Sequence, residues 1–177
     1  MTVSFDLQPT LHGTLVRLVP LRDDHFDALF AVASDPDIWA QHPAHDRWQP
    51  AVFRAFFDGA MASRGAFLVY DAATGAVIGS TRYHDWNPET REVEIGWTFL
   101  ARSHWGGRHN GEMKQLLLQH AFQWADRVRF HVGVANIRSR TAVERIGGVL
   151  VGERVEDDGR RSVVYHITAA AYRPPSP

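Results

Sequence analysis

The residue pattern predicts an α/β sandwich built on a mixed sheet, and three observations carry that reading. Strand-like and helix-like periods follow one another in the order strand, two helices, three strands, helix, strand, helix, two strands. Short glycine-containing segments, Asp71 to Gly75 and Asp157-Asp158-Gly159, each separate two apolar runs and read as hairpin turns. Between these hairpins an amphipathic helix leads from a strand ending near Phe99 to one starting near Val128, a crossover that need not join hairpin partners.

The elements follow in chain order. Val16, Leu18 and the approach to Pro20 form a first strand, and Arg22-Asp23-Asp24 place carboxylates at the start of a helix through Leu29, Phe30 and Val32, ended by Asp35-Pro36. Residues Ile38 to Pro50 are rich in Trp, His and Pro without a period, so they form a loop where a substrate lid could lie. A second helix runs from Pro50, suited to a first turn, through Phe53, Phe56, Phe57 and Met61. Phe67 to Tyr70 and Val77 to Thr81 are paired strands, and Glu92 to Phe99 is a third. Met113, Leu116, Leu117, Ala121 and Trp124 fall at helical spacing, and Val128, Phe130, Val132 and Val134 alternate as a strand. A short helix over Ser139 to Ile146 ends at Gly147-Gly148. Val149 to Val155 and Ser162 to Ile167 close the fold as a hairpin. Arg173-Pro174-Pro175-Ser176-Pro177 reads as a tail.

Composition narrows the function. The chain has 177 residues, 45% of them hydrophobic, enough for one domain with a substantial core. The formal net charge of -1, with signs mixed throughout, provides no broad basic face for nucleic acid or an anionic membrane. Cysteine is absent, which excludes disulfides, thiolate metal sites and an acyl-cysteine intermediate on this chain. No leader pattern and no run of ~18 to 20 apolar residues is present, so a soluble, cytoplasmic protein is expected. His42-x-x-His45-Asp46 has no second ligand pair and does not read as a metal site.

The chemistry concentrates in Glu94-Ile95-Gly96-Trp97 and in Trp105-Gly106-Gly107-Arg108-His109-Asn110-Gly111-Glu112-Met113-Lys114. A strand carrying one carboxylate, a candidate base, leads through a glycine turn into a helix beginning near Asn110. The first amides of such a helix lack partners within it, and its dipole favours an anion there. The turn lacks the Gly-Lys-Ser/Thr ending of one nucleotide loop and the Gly-x-Gly-x-x-Gly of another, so a different phosphate ligand is favoured. The same glycines also suit a plain strand-to-helix connection.

With Asn136-Ile137-Arg138-Ser139 and Glu144-Arg145-Ile146-Gly147-Gly148 added, the chain resembles the GNAT acyltransferase superfamily, in the branch of the ribosomal-protein N-terminal acetyltransferases, over residues 11–168, leaving 169–177 as a C-terminal tail. The resemblance implies a mixed, mostly antiparallel sheet splayed at its fourth and fifth strands and flanked by helices. It implies direct acetyl transfer from acetyl-coenzyme A, a co-substrate, to a primary amine such as a peptide N-terminus or a small molecule, without a metal. A homodimer is plausible by the same likeness. By position it assigns cofactor contacts to Trp105, Gly106, Gly107, Arg108, His109, Asn110 and Gly111, with the pyrophosphate on the backbone of Gly106 to Gly111. The pantetheine arm falls to Thr98, Phe99, Leu100 and Asn136. Glu94 becomes the general base, directly or through water, and Ser139 the group near the sulfur, with Tyr70, Tyr83 and Tyr165 in reserve as proton donors. Trp105, Arg108 and Asn110 depart from the superfamily's loop pattern, in which Arg108 replaces a glycine; an arginine at negative φ still presents its N–H and adds a cation. A contrasting reading is a noncatalytic acyl-coenzyme A binding module, and Glu94 could instead pair with Arg91 or Arg82.

Overall fold

The computed structural model describes residues 4–174. Eight strands form one sheet in the order β1-β2-β3-β4-β5-β6-β8-β7. The strands are β1 (Leu11–His12), β2 (Val16–Pro20), β3 (Ala66–Asp71), β4 (Val77–Asn87), β5 (Glu92–Leu100), β6 (Arg127–Gly133), β7 (Val149–Val155) and β8 (Arg161–Thr168). The helices are α1 (Phe26–Ala33), α2 (Pro50–Ser63), α3 (His109–Ala121) and α4 (Ile137–Arg145). Every neighbouring pair is antiparallel except β5 and β6, whose parallel pairing requires the crossover through α3.

The expected element order is present, with differences at the boundaries. A 3-10 turn at Asp23–His25 precedes α1. β4 continues six residues beyond Thr81, and the two-residue β1 adds a strand that the sequence pattern did not announce. Trp124 lies past the end of α3, and α4 starts at Ile137 because Asn136 caps it. Packing also extends beyond residues 11–168. Phe5 is buried against Tyr83 and Trp86, and Tyr172 packs on Phe122. Part of the expected tail, residues 175–177, lies outside the described residues.

Two apolar cores cover the two faces of the sheet. On one, Val93, Ile95 and Leu100 of β5 meet Met113, Leu117 and Leu118 of α3. On the other, Phe53, Phe57 and Trp39 meet Leu68 and Phe99. Each large side chain so buried contributes ~1.5–3 kcal/mol, which sets the face of every strand more firmly than local propensity does.

One irregularity in β5 positions the site. Ser80 and Arg82 of β4 pair with Phe99 and Gly96, so the single residue between them, Thr81, faces two on β5, Trp97 and Thr98. Trp97 sits at that bulge with φ of 49°. A β-strand alternates faces, and the extra residue resets the alternation. Val93 and Ile95 face α3; after the bulge Leu100 faces α3 again, while Trp97 turns onto Arg82 and His84 of the opposite face. Left-handed φ at a tryptophan costs on the order of 1–3 kcal/mol, offset here by the ring's contacts with Arg82 and His84.

Candidate active site

The pairing of β5 with β6 stops at Glu94 and Arg129. From Ile95 onward the two strands diverge, leaving the β6-facing edge of β5 unpaired over Ile95 to Leu100. This is the splay expected between the fourth and fifth strands, here β5 and β6 because β1 precedes them in the count.

A cavity of about 490 Å³ lies in the cleft between the diverging strands, α3 and α4. That volume is in the range of small-molecule sites. Thr98, Phe99, Leu100, Trp105, Gly106 and Gly107 line it, as do Asn110, Gly111, Asn136 and Ser139. At its mouth Gly106 takes φ of 70°, a value open to glycine, and α3 starts with no side chain accepting from its first amides. The N-cap of α3 is Arg108 at φ of -83°, so the backbone path does not need a glycine there. Two expected contacts are not brought to the cavity lining. Arg108 is exposed, and the His109 ring turns away to Asp71, at 3.2 Å.

Asp71 was not singled out by the sequence pattern. One carboxylate oxygen accepts from the amides of Ala73 and Thr74, while the other meets His104 at 3.0 Å and His109. The Thr74 amide, and next the His104 ring, hold the Asp71 carboxyl well below the usual carboxylate range. Both ends of the glycine turn are thus tied to the β3–β4 hairpin. These three side chains could also ligate a metal ion, their ligand atoms lying within 4.8 Å of one another.

Lys114, the chain's single lysine, is 5% exposed and lines the same cavity. Its Nζ donates to Thr98 Oγ1 at 2.6 Å, and that hydroxyl also meets Thr81 Oγ1 at 2.9 Å. Burial pushes the ammonium down to about 7. The signal available in the sequence was this lone lysine among arginines.

At the far end, Asn136 is 4% exposed, and its Oδ1 accepts the Ser139 amide at 3.3 Å. Asn136 therefore caps α4, while the half-buried Ser139 reaches the cavity without a side-chain hydrogen bond among the described residues. The three tyrosines line neither this cavity nor the next. Tyr83 donates to the Leu117 carbonyl, Tyr165 donates to Glu144 Oε1 at 2.6 Å, and Tyr70 stacks with Arg17.

A second cavity, about 510 Å³, shares Gly96, Trp97, His42, His131 and Gly133 with the first, so the two meet where the strands part. Glu94 lines the second, 6% exposed. Its neighbours are Arg129 Nε at 3.7 Å and His131 Nδ1 at 3.8 Å, neither a hydrogen bond, and Arg91 instead pairs with Asp126. Burial pushes the Glu94 carboxyl up to about 7, against an opposing pull from Arg129. His84 and His131 are shifted down by burial and stand neutral near neutrality. A carboxyl so tuned can exchange a proton with a bound amine near pH 7.

No described helix is long and apolar enough to cross a membrane. The family description "Acetyltransferase (GNAT) domain" matches residues 16–149. Among solved structures, one assigned as an acetyltransferase from T. thermophilus is 31% identical, covering 92% of this chain and 90% of its own, with a TM-score of 0.74. A GCN5-related N-acetyltransferase from Brucella melitensis is 26% identical over 93% of this chain and 80% of its own, TM-score 0.77. At 21% identity, Mycobacterium smegmatis RimJ in complex with a CoA disulfide shares the fold over 92% of this chain and 87% of its own, TM-score 0.71. Among curated proteins, none matches.

Proposed function

The chain belongs to the acetyltransferase (GNAT) domain family, and from that premise we propose that it moves an acetyl group from acetyl-coenzyme A directly to a primary amine within a ternary complex. The observation that carries this reading is the meeting of the two cavities at Gly96 and Trp97, one reached by the uncapped end of α3 and the other by Glu94. Coenzyme A is the ligand named for RimJ; for this chain its support is the residues themselves.

The pyrophosphate is assigned to the amides from Gly106 to Gly111 at the α3 N-terminus, which present N–H donors and a positive dipole end. The β5 edge from Thr98 to Leu100, free of β6 although the Leu100 carbonyl accepts from Trp105 Nε1 at 2.9 Å, offers backbone groups to an extended amide-bearing chain, with Asn136 on the same cavity. Acetyl-coenzyme A supplies the thioester. A β5 amide beside Trp97 is the donor for the oxyanion that develops on its carbonyl. Glu94 takes the proton from the ammonium of the acceptor, directly or through one water, so that a neutral amine attacks. Ser139 stands nearest to the role of hydrogen-bonding the departing thiolate, since the tyrosines are engaged elsewhere.

The test is calorimetry with acetyl-coenzyme A, followed by thiol release against a panel of primary amines with mass spectrometry of the products. Saturable binding and an acetylated amine are expected. Binding without turnover of any amine would favour the noncatalytic module, and no binding would refute both.

A further inference from the structure

We propose that the second cavity selects an amine that also carries a carboxylate, an amino-acid-like acceptor, whose anionic group is received at Arg47 while its amino group faces Glu94. The inference rests on the acetyltransferase reading and narrows its substrate class.

Charge pairing within the cavity singles out Arg47. Arg129 is bonded to Glu92 and Asp85, Arg154 to Glu156, Arg160 to Asp158 and Arg161 to Glu153. Among the described residues Arg47 has no carboxylate within salt-bridge distance, and neither does Arg82, which is 5% exposed. Arg47 meets His42 Nε2 at 3.3 Å and lies 4.7 Å from the Phe56 ring. Arg82 lies 5.5 Å from the same ring and 4.5 Å from the Trp97 ring, with its Nε buried and unpartnered and one weak bond to the Gly59 carbonyl at 3.4 Å. Two guanidinium groups therefore flank one aromatic ring, neither with a carboxylate within salt-bridge distance, although Asp46 and Glu94 act on them from further off. Buried cations are normally paired, because uncompensated charge away from water is costly. His42 is held neutral, pushed down to about 3 by burial and by Arg47, and offers no negative charge in return.

The arrangement is built into the fold. Pro43, four residues before Arg47, packs against Gly133 so closely that a Cβ there would come within 2.6 Å of its ring, which fixes the loop to the end of β6. Gly96 leaves open the space in front of Glu94, since a Cβ added there would find Glu94 Oε1 at 3.4 Å and nothing else within 4 Å. One wall of the cavity thus offers an unpaired cation and the floor offers a proton acceptor. A zwitterion meets both, whereas a polyamine would set a cation against Arg47.

The test compares glycine, aspartate and glutamate with their amides, and with spermidine, by calorimetry on the protein saturated with coenzyme A and by acetyl transfer from acetyl-coenzyme A. Carboxylates are expected to bind roughly tenfold or more tightly than amides. Arg47→Gln should bring that ratio near one with coenzyme A affinity unchanged, and Arg47→Lys should restore part of it. Arg47 is half-buried on a loop, so this variant is the primary one, with Arg82→Gln beside it. Equal binding of amides, tighter binding of spermidine, no binding of any carboxylate, or a ratio that survives in Arg47→Gln would overturn the proposal. Carboxylates that bind through Arg47, in a protein that acetylates no amine of the wider panel, would sustain the selection by charge and sink the acetyltransferase reading instead.

Discussion

At the scale of single residues, two buried ionisable groups define the site and make opposite demands on pH. Glu94 has its carboxyl raised to about 7, so the unfolded chain releases this proton first. Its contribution to stability is fully present below the ordinary glutamate value, near 4.5, and is lost as pH rises through 7. On the proposed mechanism activity runs the other way, because Glu94 accepts a proton only when ionised. The rate is expected to rise to a plateau above pH 7, and Glu94→Gln should cut turnover ~10² to 10⁴-fold while gaining stability at pH 8. Steady-state rates and denaturant midpoints on the same samples check both. Lys114 has its ammonium lowered to about 7, so from there to about 10.5 the unfolded chain binds more protons and wild-type stability should climb with pH. Lys114→Met should abolish that climb, read as the difference between denaturation midpoints at pH 7 and 9. Glu94 was legible in the sequence as the carboxylate that leads into Ile95-Gly96-Trp97 and the glycine turn. The partners of Lys114 and Asp71 were not, because Thr98 and Thr81, or His104 and His109, come together only through strand pairing and helix placement.

At the scale of elements, the site depends on where β5 leaves β6 and on how α3 is held. The N-terminus of α3 is anchored by Glu112, whose carboxylate accepts from the amides of Thr14, Leu15 and Val16 and from the Thr14 hydroxyl, at 2.6 to 2.9 Å. Gly13 must be a glycine for this, since a Cβ there would come within 2.3 Å of Glu112 Oε2. Burial pushes the Glu112 carboxyl up, but these donors outweigh it and hold it below its ordinary value. That support is present above the unfolded value near 4.5 and is lost as pH falls through the folded one. Glu112→Ala is expected to lose about 3 kcal/mol or more, measured by chemical denaturation at pH 7. At the other end of the same device, a folded double variant with bulky residues at Gly107 and Gly111 should bind coenzyme A at least tenfold more weakly by calorimetry; unchanged affinity would remove the pyrophosphate seat from this turn. The strands and helices could be read from period and punctuation. The bulge at Trp97 could not, since nothing in Gly96-Trp97-Thr98 announces an extra residue until β4 is laid alongside.

At the scale of the molecule, one sheet carries an apolar core on each face except along the exposed β7, and its single parallel pair opens into a cleft where two cavities meet. The element order and the helical crossover were legible from period and punctuation, whereas the splay was implied by the family resemblance. The pairing of charges around the second cavity was not legible, because loop, strand and hairpin residues converge there from Arg47 to Arg161. The meeting of the cavities at Gly96 and Trp97, in a chain with no cysteine to carry the acyl group, makes direct transfer between two simultaneously bound substrates the central claim. The decisive measurement is of initial rates at several fixed acetyl-coenzyme A concentrations while the amine is varied. Intersecting double-reciprocal lines are expected, with no acetylated protein detected by mass spectrometry; parallel lines, with an acetyl group left on the protein when the amine is withheld, would refute direct transfer.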